Sequence, residues 1–389
     1  MKLQKESYSI IIMLGHMCCD LSGSALPAIL PFLIVQQGIS YTAAAGLSFG
    51  LSIAGSVIQP LFGNMADRHS RPWMMSLGIF LSGCGIPLLG FLENYALMFA
   101  AVVLTGIGTA LFHPDGGRMA NYVSGKNKGK GISNFSVGGN MGSALGPVLA
   151  VAAISLFGMH GTALLFLPPL FMSLFLLTQN KILLSFAEEG SRATAAAKAA
   201  GQQDDWKGFW KLLFVIFMRS TVAMGLTTFI PLFWLSVLKQ TESLSGTTTT
   251  IVSVVATIST LFSGRWADRY GFNRVIRIGL VLFVPFMIGL SLSRSVVLST
   301  ILLIPASFSV YMAFSPGVAL GQKLLPNHIG LASGVTMGLA TSFGGVIAPV
   351  LGRIGDSYGM EIVLWLLAAA GLLAAVGSFL VPEPKKEDQ

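Results

Sequence analysis

The sequence predicts an all-α membrane protein of twelve transmembrane helices arranged as two six-helix bundles. Three observations lead to this prediction. The 389 residues are 53% hydrophobic and only 10% charged, with a mean hydropathy of +0.74, whereas an ordinary soluble domain carries about 25% charged residues. Long apolar runs recur along the chain, and a short charged segment occurs twice, about half a chain apart. A surface so poor in charge must face lipid rather than water.

Twelve apolar runs approach the length of about 20 residues that crosses a bilayer. The first is too long for a secretion signal, so we expect it to be retained. The polar residues 187–208 follow the sixth run, which divides the chain into a bundle of residues 1–186, a cytoplasmic linker of residues 187–208 and a bundle of residues 209–389. The predicted spans are residues 8–36, 42–66, 73–93, 95–122, 131–157, 161–184, 209–238, 245–267, 274–293, 296–324, 330–358 and 361–382.

An internal repeat relates the two halves. The charged segment contains Asp67-Arg68 in the first half and Asp268-Arg269 in the second, 201 residues later. Further landmarks recur at offsets of 200–202 residues: Pro31 with Pro231, Phe112-His113-Pro114 with Phe314-Ser315-Pro316, and Gly146-Pro147 with Ala348-Pro349. The chain therefore contains two copies of one plan. Parallel repeats are typical of transporters that rock around a central site.

The positions of the basic residues predict the orientation. Most of the 24 Lys and Arg residues fall in segments on one side of the predicted spans. Cytoplasmic loops are enriched in these residues, so both termini are expected in the cytoplasm. The net charge of +8 belongs to these short loops, and we do not interpret it as a nucleic-acid footprint. The expected location is the inner membrane of a bacterium.

Three motifs carry a family resemblance. The first is a Gly-x-x-x-Asp-Arg-x-x-Arg loop after the second span, with an echo in the second half. The second is a glycine repeat in the fifth span, and the third ends the first span. Their residues are Gly63, Asp67, Arg68 and Arg71; Gly264, Asp268, Arg269 and Arg274; Gly138, Gly142, Gly146 and Pro147; and Leu26-Pro27-Ala28-Ile29-Leu30-Pro31. On these residues, the whole chain resembles the major facilitator superfamily.

Within that superfamily, two runs resemble the fosmidomycin-resistance-type drug/proton antiporters: Gly15-His16-x3-Asp20 and Phe112-His113-Pro114-Asp115-Gly116. The resemblance implies a secondary transporter that exports small drug-like or anionic molecules in exchange for protons by alternating access. One position departs from the pattern. Val102 stands four residues before Gly106-Ile107-Gly108, where many proton-coupled drug exporters carry an arginine, so an arginine-based proton relay cannot be carried over.

Ionisable residues inside the spans are costly and therefore indicate function. Asp20 lies about 12 residues and roughly 18 Å into its span, with His16 one helical turn away. A low dielectric favours the neutral form of a carboxyl, and imidazole exchanges protons near neutrality. We expect Asp20 to carry the coupling proton and His16 to tune it or to contact substrate. The alternative is a structural hydrogen-bonded pair.

Three residues are predicted to bind substrate. Arg219 lies in the seventh span and stays charged at every accessible pH, so it can hold a phosphonate or carboxylate or form a static salt bridge, with Asp20 as one possible partner. His113, beside Pro114 in the fourth span, is expected at a cytoplasmic-side proton or substrate port. Phe229, with neighbouring aromatic residues, lines the outer cavity or belongs to the core.

A further group of residues is assigned to gating or packing. Asp67 and Asp268 are expected to cap facing helix N-termini, and Arg68, Arg71 and Arg269 to pair with acidic groups in the closed state. Asp115 and Arg118, three residues apart on a helix, are expected to pair. Glycines four apart let another helix approach closely, which assigns Gly138, Gly142 and Gly146 to packing, while Pro147 bends the span.

The sequence contains no nucleotide-binding loop, no Cys/His metal spacing and no nucleophile elbow, so we expect no enzyme activity, cofactor or metal. The expected partners are a small-molecule substrate, protons and the lipid bilayer, with no nucleic acid, and the protein is expected to act as a monomer. Two alternatives stay open. One is a proton-coupled or facilitated importer of an organic anion or sugar, and the other is a transport-inactive membrane sensor.

Overall fold

A computed structural model describes residues 2–383 except 40, 69–70, 200, 202 and 241, and at some helical positions it describes the backbone but not the side chain. This part of the chain contains helices and connecting turns but no β-strand. Eleven of its helical segments are long and apolar enough to span a membrane, and the shorter apolar helix Trp73–Leu88 supplies the twelfth. The predicted all-α fold of twelve spans is confirmed.

The first half of the sequence supplies six spans and a connecting helix. The spans are α1, α2 together with α3, α4, α5, α6, and a 3-10 helix together with α7, and α8 follows them. The bounds are α1 Lys2–Gln37, α2 Tyr41–Val57, α3 Gln59–Arg68, α4 Trp73–Leu88, α5 Tyr95–Val123, α6 Lys128–Phe157, the 3-10 helix Met159–Phe166, α7 Leu167–Thr178 and α8 Asn180–Ala199.

The second half repeats this arrangement with six more spans. They are α9, α10, α11, α12 together with α13, α14 continuing through a π-helical segment into α15, and α16. The bounds are α9 Trp206–Ser236, α10 Glu242–Tyr270, α11 Phe272–Leu292, α12 Val296–Met312, α13 Phe314–Leu324, α14 Ile329–Ser333, the π segment Gly334–Leu339, α15 Ala340–Tyr358 and α16 Met360–Leu380.

Two spans are divided next to a proline. α3 begins at Gln59, immediately before Pro60, and α13 begins at Phe314, with Pro316 in its first turn. Proline has no N–H to donate and its ring clashes with the preceding turn, so it is tolerated best where a helix begins. These breaks give Gln59 and Phe314 helix-starting positions, and both residues contact the groups described below.

The sixth span ends earlier than the sequence predicts. α7 ends at Thr178, and α8 begins two residues later, so residues 180–184 do not extend the span. They begin a second helix, whose side chains Leu183, Phe186 and Ala187 are buried. Glu189 on this helix accepts a hydrogen bond of 2.7 Å from Nζ of Lys5. The predicted linker is therefore helical as far as Ala199.

The glycine repeat of α6 lies against α1. A Cβ added at Gly138, Gly142 or Gly146 would overlap a backbone carbonyl oxygen of α1: those of Met13, Met17 and Leu21, respectively. The two backbones are thus too close for any side chain at these three positions. This is the packing that the spacing of four residues predicts, and it holds α1 in place for the groups it carries.

Gly142→Ala tests this packing. We expect a lower thermal unfolding temperature in detergent, because the new Cβ must push α1 away from α6. Overpacking of this kind costs about 1–3 kcal/mol. Gly352→Ala is the matched control, since its Cβ would meet no atom closer than 4.0 Å. Equal stability of the two variants would contradict the close approach.

Grouping the residues by contact gives two compact units. The first comprises Met1–Lys126, Asn134–Gln203 and Pro326–Leu339, and the second comprises Asn127–Ser133, Asp204–Leu325 and Ala340–Gln389. Each unit therefore contains a short segment from the opposite half of the sequence. The division into residues 1–186, 187–208 and 209–389 stays a prediction.

Candidate functional site

The first unit brings three ionisable side chains together. His16 and Asp20 lie one turn apart on α1, and His113 reaches them from α5. Nε2 of His113 is 2.9 Å from Oδ1 of Asp20, and Nε2 of His16 is 3.1 Å from Oδ2. The two Nε2 atoms are 3.0 Å apart. We call His16, Asp20 and His113 the proton cluster. The sequence assigned His113 to a separate cytoplasmic-side port, and the structure places it against Asp20.

The outer nitrogen of each imidazole has a partner that assigns its hydrogen. Nδ1 of His16 is 2.6 Å from the carbonyl oxygen of Phe135, which can only accept, so this nitrogen carries hydrogen. Nε2 of Gln59 donates to the carbonyl oxygen of Gly55 and lies 3.1 Å from Nδ1 of His113. The amide therefore presents its second hydrogen to His113, and a neutral His113 carries its own hydrogen on Nε2.

With the Gln59 amide in this orientation, these assignments leave one place for a further proton. Nε2 of His113 can donate to Asp20 or to His16, but Nε2 of a neutral His16 and Oδ2 of an ionised Asp20 are both acceptors. They face each other at 3.1 Å, which is a hydrogen-bond distance only when one proton lies between them. The cluster has a formal charge of −1 without this proton and 0 with it. Because the three groups interact directly, the proton belongs to the cluster as a whole.

Packing around the cluster is tight on the α6 side. A Cβ added at Gly139 would lie 2.6 Å from Cε1 of His16 and 2.9 Å from Oδ2 of Asp20. The His16 ring also stacks on Phe135, with centroids 4.0 Å apart. His16 is buried, and the side chain of Asp20 keeps 20% exposure. The arrangement holds both rings in place and leaves the carboxylate accessible.

The same three residues could hold a metal ion. One donor atom from each lies within 4.8 Å of the others, and this is the only such group found among the described residues. The N–N distance of 3.0 Å is also that of a shared proton. Hydrogen bonds account for every polar contact within the group, and we interpret it as a proton site.

Arg219 of the second unit is a buried cation with aromatic neighbours. Its side chain lies on α9 and keeps only 6% exposure. The guanidinium carbon is 4.8 Å from the ring centroid of Phe314 and 5.6 Å from that of Tyr311. Nε has no hydrogen-bond partner, and no acidic residue pairs with Arg219 in the described part of the chain. A buried charge without a counter-ion is costly, so this arrangement favours an anionic ligand.

Phe229 lies in the hydrophobic core of the second unit. It is 2% exposed and packs with other apolar residues of α9, including Phe233 and Trp234. The sequence left a cavity-lining role and a core role open for these aromatic residues. The described packing favours the core role.

Asp115 and Arg118 form a buried ion pair on α5. Arg118 donates from Nη2 and Nε to Oδ1 of Asp115 at 2.6 and 3.2 Å, and from Nη1 to the carbonyl oxygen of Ala66 near the end of α3. The pairing matches the expectation from their spacing. Because the guanidinium also holds the end of α3, it connects α5 to the helix that carries Asp67.

Arg118→Met tests the contribution of this pair to stability. Removing the cation leaves Asp115 as an uncompensated buried charge, so the free energy of unfolding in detergent should fall by about 3–5 kcal/mol. Asp115→Leu combined with Arg118→Met should lose less, because both charges are gone. Arg269→Met, at an exposed arginine, is the control. A double variant less stable than Arg118→Met would contradict this account.

Asp67 and Asp268 each cap the start of another helix. Asp67 accepts from the backbone N–H groups of Gly330 and Leu331 at 2.7 and 2.9 Å. Asp268 accepts from those of Gly129 and Lys130 at 2.8 and 2.7 Å. We call these two arrangements the carboxylate caps. They obey the internal repeat, since Gly330 follows Gly129 by 201 residues, as Asp268 follows Asp67.

The arginines of the charged segments are less informative. The side chain of Arg68 lies outside the described part of the structure, while Arg71 and Arg269 are exposed. The guanidinium of Arg269 lies 5.2 Å from the ring of its neighbour Tyr270. The proposed gating role therefore depends on the two carboxylates.

Several contacts of these sites were missed by the sequence analysis. Gln59, Gly139 and the Phe135 carbonyl are parts of the proton cluster's surroundings, and Tyr311 and Phe314 surround Arg219. A signal existed for Phe314, because Phe314-Ser315-Pro316 matches Phe112-His113-Pro114. The Gly138-Gly139 pair was a weaker signal, and nothing in the sequence marked the amide of Gln59.

The repeated six-helix halves, with ionisable groups buried within their spans, are the architecture of a membrane transporter. The chain belongs to the Major Facilitator Superfamily, whose family model matches residues 12–349. It is 28% identical over 394 residues to the fosmidomycin resistance protein of Escherichia coli (strain K12), covering 99% of this chain and 95% of that protein.

Two further similarities extend over nearly the whole chain. The uncharacterized transporter YfnC of Bacillus subtilis (strain 168) is 28% identical over 395 residues, with 97% of this chain and 94% of that protein covered. Among solved structures, the E. coli fucose:proton symporter FucP matches with a TM-score of 0.73 and 13% identity, covering 96% of this chain and 98% of that one. The last similarity concerns the fold alone.

Proposed function

We propose that the protein exports small drug-like or anionic molecules in exchange for protons, by alternating access in a bacterial plasma membrane. The single observation that carries the proposal is the hydrogen-bonded cluster of His16, Asp20 and His113, whose geometry accommodates one additional proton. Ionisable groups at membrane depth commonly form proton relays. The partial exposure of Asp20 allows that proton to enter and leave.

The proton cluster changes charge during the proposed cycle. Its unprotonated form is an anion buried within a helix bundle, and protonation between His16 and Asp20 makes it neutral. Two orientations of a transporter that expose or bury this charge differently must bind the proton with different affinities. Protonation then shifts the population between them. Asp20 and His16 bind the coupling proton, and His113 fixes the carboxylate.

Arg219 is proposed to bind the anionic part of the substrate. A phosphonate or carboxylate would provide the acceptor that the buried guanidinium lacks in the structure. The rings of Tyr311 and Phe314 offer apolar surface beside it. Of the other two residues assigned to substrate from the sequence, His113 acts through the proton cluster, and Phe229 supports α9 from the core.

The carboxylate caps are proposed to act as gates. A carboxylate with two backbone N–H donors at a helix N-terminus is stabilising, and it holds that helix end in one position. Release of Asp67 or Asp268 would free the helix it caps. Arg118 holds the Asp67-bearing helix by its last turn, so Asp115 and Arg118 would set the stability of the same gate.

Transport in proteoliposomes tests the proposal. The protein would be reconstituted and screened by counterflow with labelled phosphonates, antibiotics and organic acids, and then with an imposed pH gradient. We expect substrate to accumulate on the side from which protons leave. Movement of substrate together with protons would instead support the importer. Absence of counterflow for every class would support the transport-inactive sensor.

A further inference from the structure

Gln59 lies between the proton cluster and the π segment Gly334–Leu339, both within the first unit. It is the first residue of α3 and is 3% exposed. Its amide nitrogen lies 3.1 Å from Nδ1 of His113 and donates to Gly55. Its amide oxygen Oε1 is buried and has no hydrogen-bond partner. One face of the amide thus contacts the proton cluster, and the other is an acceptor without a donor.

The unpartnered oxygen points at the π segment. A Cβ added at Gly338 would overlap Oε1 of Gln59, and one added at Gly334 would lie 2.8 Å from the Gln59 backbone oxygen. Two glycines four residues apart therefore let the π segment approach the Gln59 side chain and backbone directly. π-helical turns occur frequently at functional sites. Rotation of the amide would change its contact with Gly338 directly, because no side chain separates the amide from this glycine.

The protonation of His113 decides which way this amide can face. With Nδ1 as an acceptor, the NH2 group of Gln59 faces it, as in the structure. When His113 carries hydrogen on both nitrogens, Nδ1 becomes a donor, and the NH2 group can no longer face it. Rotation of the amide would then bring Oε1 to Nδ1–H and satisfy the buried oxygen. It would also break the bond to Gly55 and direct NH2 toward Gly338.

We propose that Gln59 is a positioning residue that transmits uptake of a second proton, on Nδ1 of His113 in the proton cluster, to the π segment through rotation of its amide. The inference rests on the proposed function, because it takes the cluster to be the coupling-proton site. The π segment continues from α14, whose first N–H groups are held by Asp67. A donor forced against Gly338 would loosen this helix end and weaken the Asp67 cap. Proton binding is thereby linked to the gate.

The titratable groups around the amide are few. α1 contributes His16, Asp20 and the buried thiol of Cys19, and α5 contributes His113, with the Asp115–Arg118 pair further along the same helix. α3 and α6 contribute the uncharged Gln59 amide and the Phe135 carbonyl at this point. The π segment itself contains no titratable side chain. Asp67 on α3 and His328 just before α14 also lie at this helix end, so the loss of the pH response in Gln59→Met is what assigns that response to the proton cluster.

Hydrogen–deuterium exchange of residues 329–340 tests the inference in the reconstituted full-length protein. The exchange rates are converted to protection factors, because the intrinsic exchange rate itself depends on pH. In the unsubstituted protein, we expect protection to fall severalfold as the medium is acidified. Gln59→Met keeps the side-chain length but has no amide to rotate, so protection should stay constant. Gln322→Met, at a buried glutamine of the second unit, should keep the pH response.

Two further variants make the result independent of Gln59→Met. Gln59→Glu keeps an acceptor against Gly338 and has no NH2 group to turn toward it, so protection should stay high at every pH. Gly338→Ala should lower protection by crowding Oε1, and adding Gln59→Ala should restore it. A pH response that persists in Gln59→Met overturns the inference. So does a loss of protection in Gly338→Ala that adding Gln59→Ala does not restore. Proton-driven transport in the unsubstituted protein is measured in parallel, so failure of the proposed function would be seen separately as its absence.

Discussion

Asp20→Asn is expected to abolish substrate accumulation driven by a pH gradient while leaving counterflow intact. Asparagine has the size of aspartate, but its NH2 group permanently occupies the position of the shared proton opposite Nε2 of His16. The position between residue 20 and His16 is then never emptied, so the coupling proton cannot be exchanged with either side. Accumulation under an imposed gradient should fall to the level of protein-free liposomes, whereas exchange of labelled for unlabelled substrate needs no proton movement.

Asp356→Asn is the matched control, because Asp356 is an exposed carboxylate on α15. It should accumulate substrate like the unsubstituted protein. Unchanged thermal unfolding of Asp20→Asn in detergent would establish that the fold is retained. Accumulation by Asp20→Asn with the usual dependence on the gradient would remove this residue from the coupling step, and the proposal would have to be given up in its present form.

Arg219→Gln is expected to weaken binding of an anionic substrate by about 10- to 100-fold, because a hydrogen-bonded charge contributes about 1.5–3 kcal/mol. Binding of an uncharged analogue of the same shape should change little. The variant should be at least as stable as the unsubstituted protein, since it removes a buried cation that has no acidic partner among the described residues. Equilibrium binding and thermal unfolding measure the two effects.

Arg219→Lys separates charge from shape at the same position. Lysine keeps the charge but lacks the planar fork that binds two oxygens at once, so we expect an intermediate affinity for a phosphonate or carboxylate. Equal losses for charged and uncharged ligands, together with lower stability, would instead assign Arg219 a structural role in α9.

Much of the fold could be predicted from the sequence, because lipid imposes a strong requirement on each span. Without water to bond the backbone, a crossing segment must be helical and apolar, and its length follows from bilayer thickness. The points at which a span ends or changes its helix type were harder to predict. The end of α7 at Thr178 was missed because residues 182–184 are also apolar, although they belong to α8, where Leu183 is buried. The π segment has no marker in its composition.

The functional site also contains residues that could be predicted from the sequence and contacts that could not. Asp20, His16, His113 and Arg219 could be found because a charge inside an apolar run is conspicuous. Their grouping could not, since His113 is 93 residues from Asp20 and meets it only after α5 packs on α1. Gln59 is an uncharged residue beside a proline, and its importance comes from the two atoms of one amide facing different neighbours.

The two exchanged segments affect how the chain can be divided. Residues 326–339 pack in the first unit and residues 127–133 in the second, so a cut within α8 would leave each fragment with a carboxylate whose N–H donors belong to the other piece. Two fragments made from separate messages in one cell should therefore be recovered together as a stable assembly. Either fragment made alone would lack the segment that the other supplies. The surface left uncovered would make it a target for proteases.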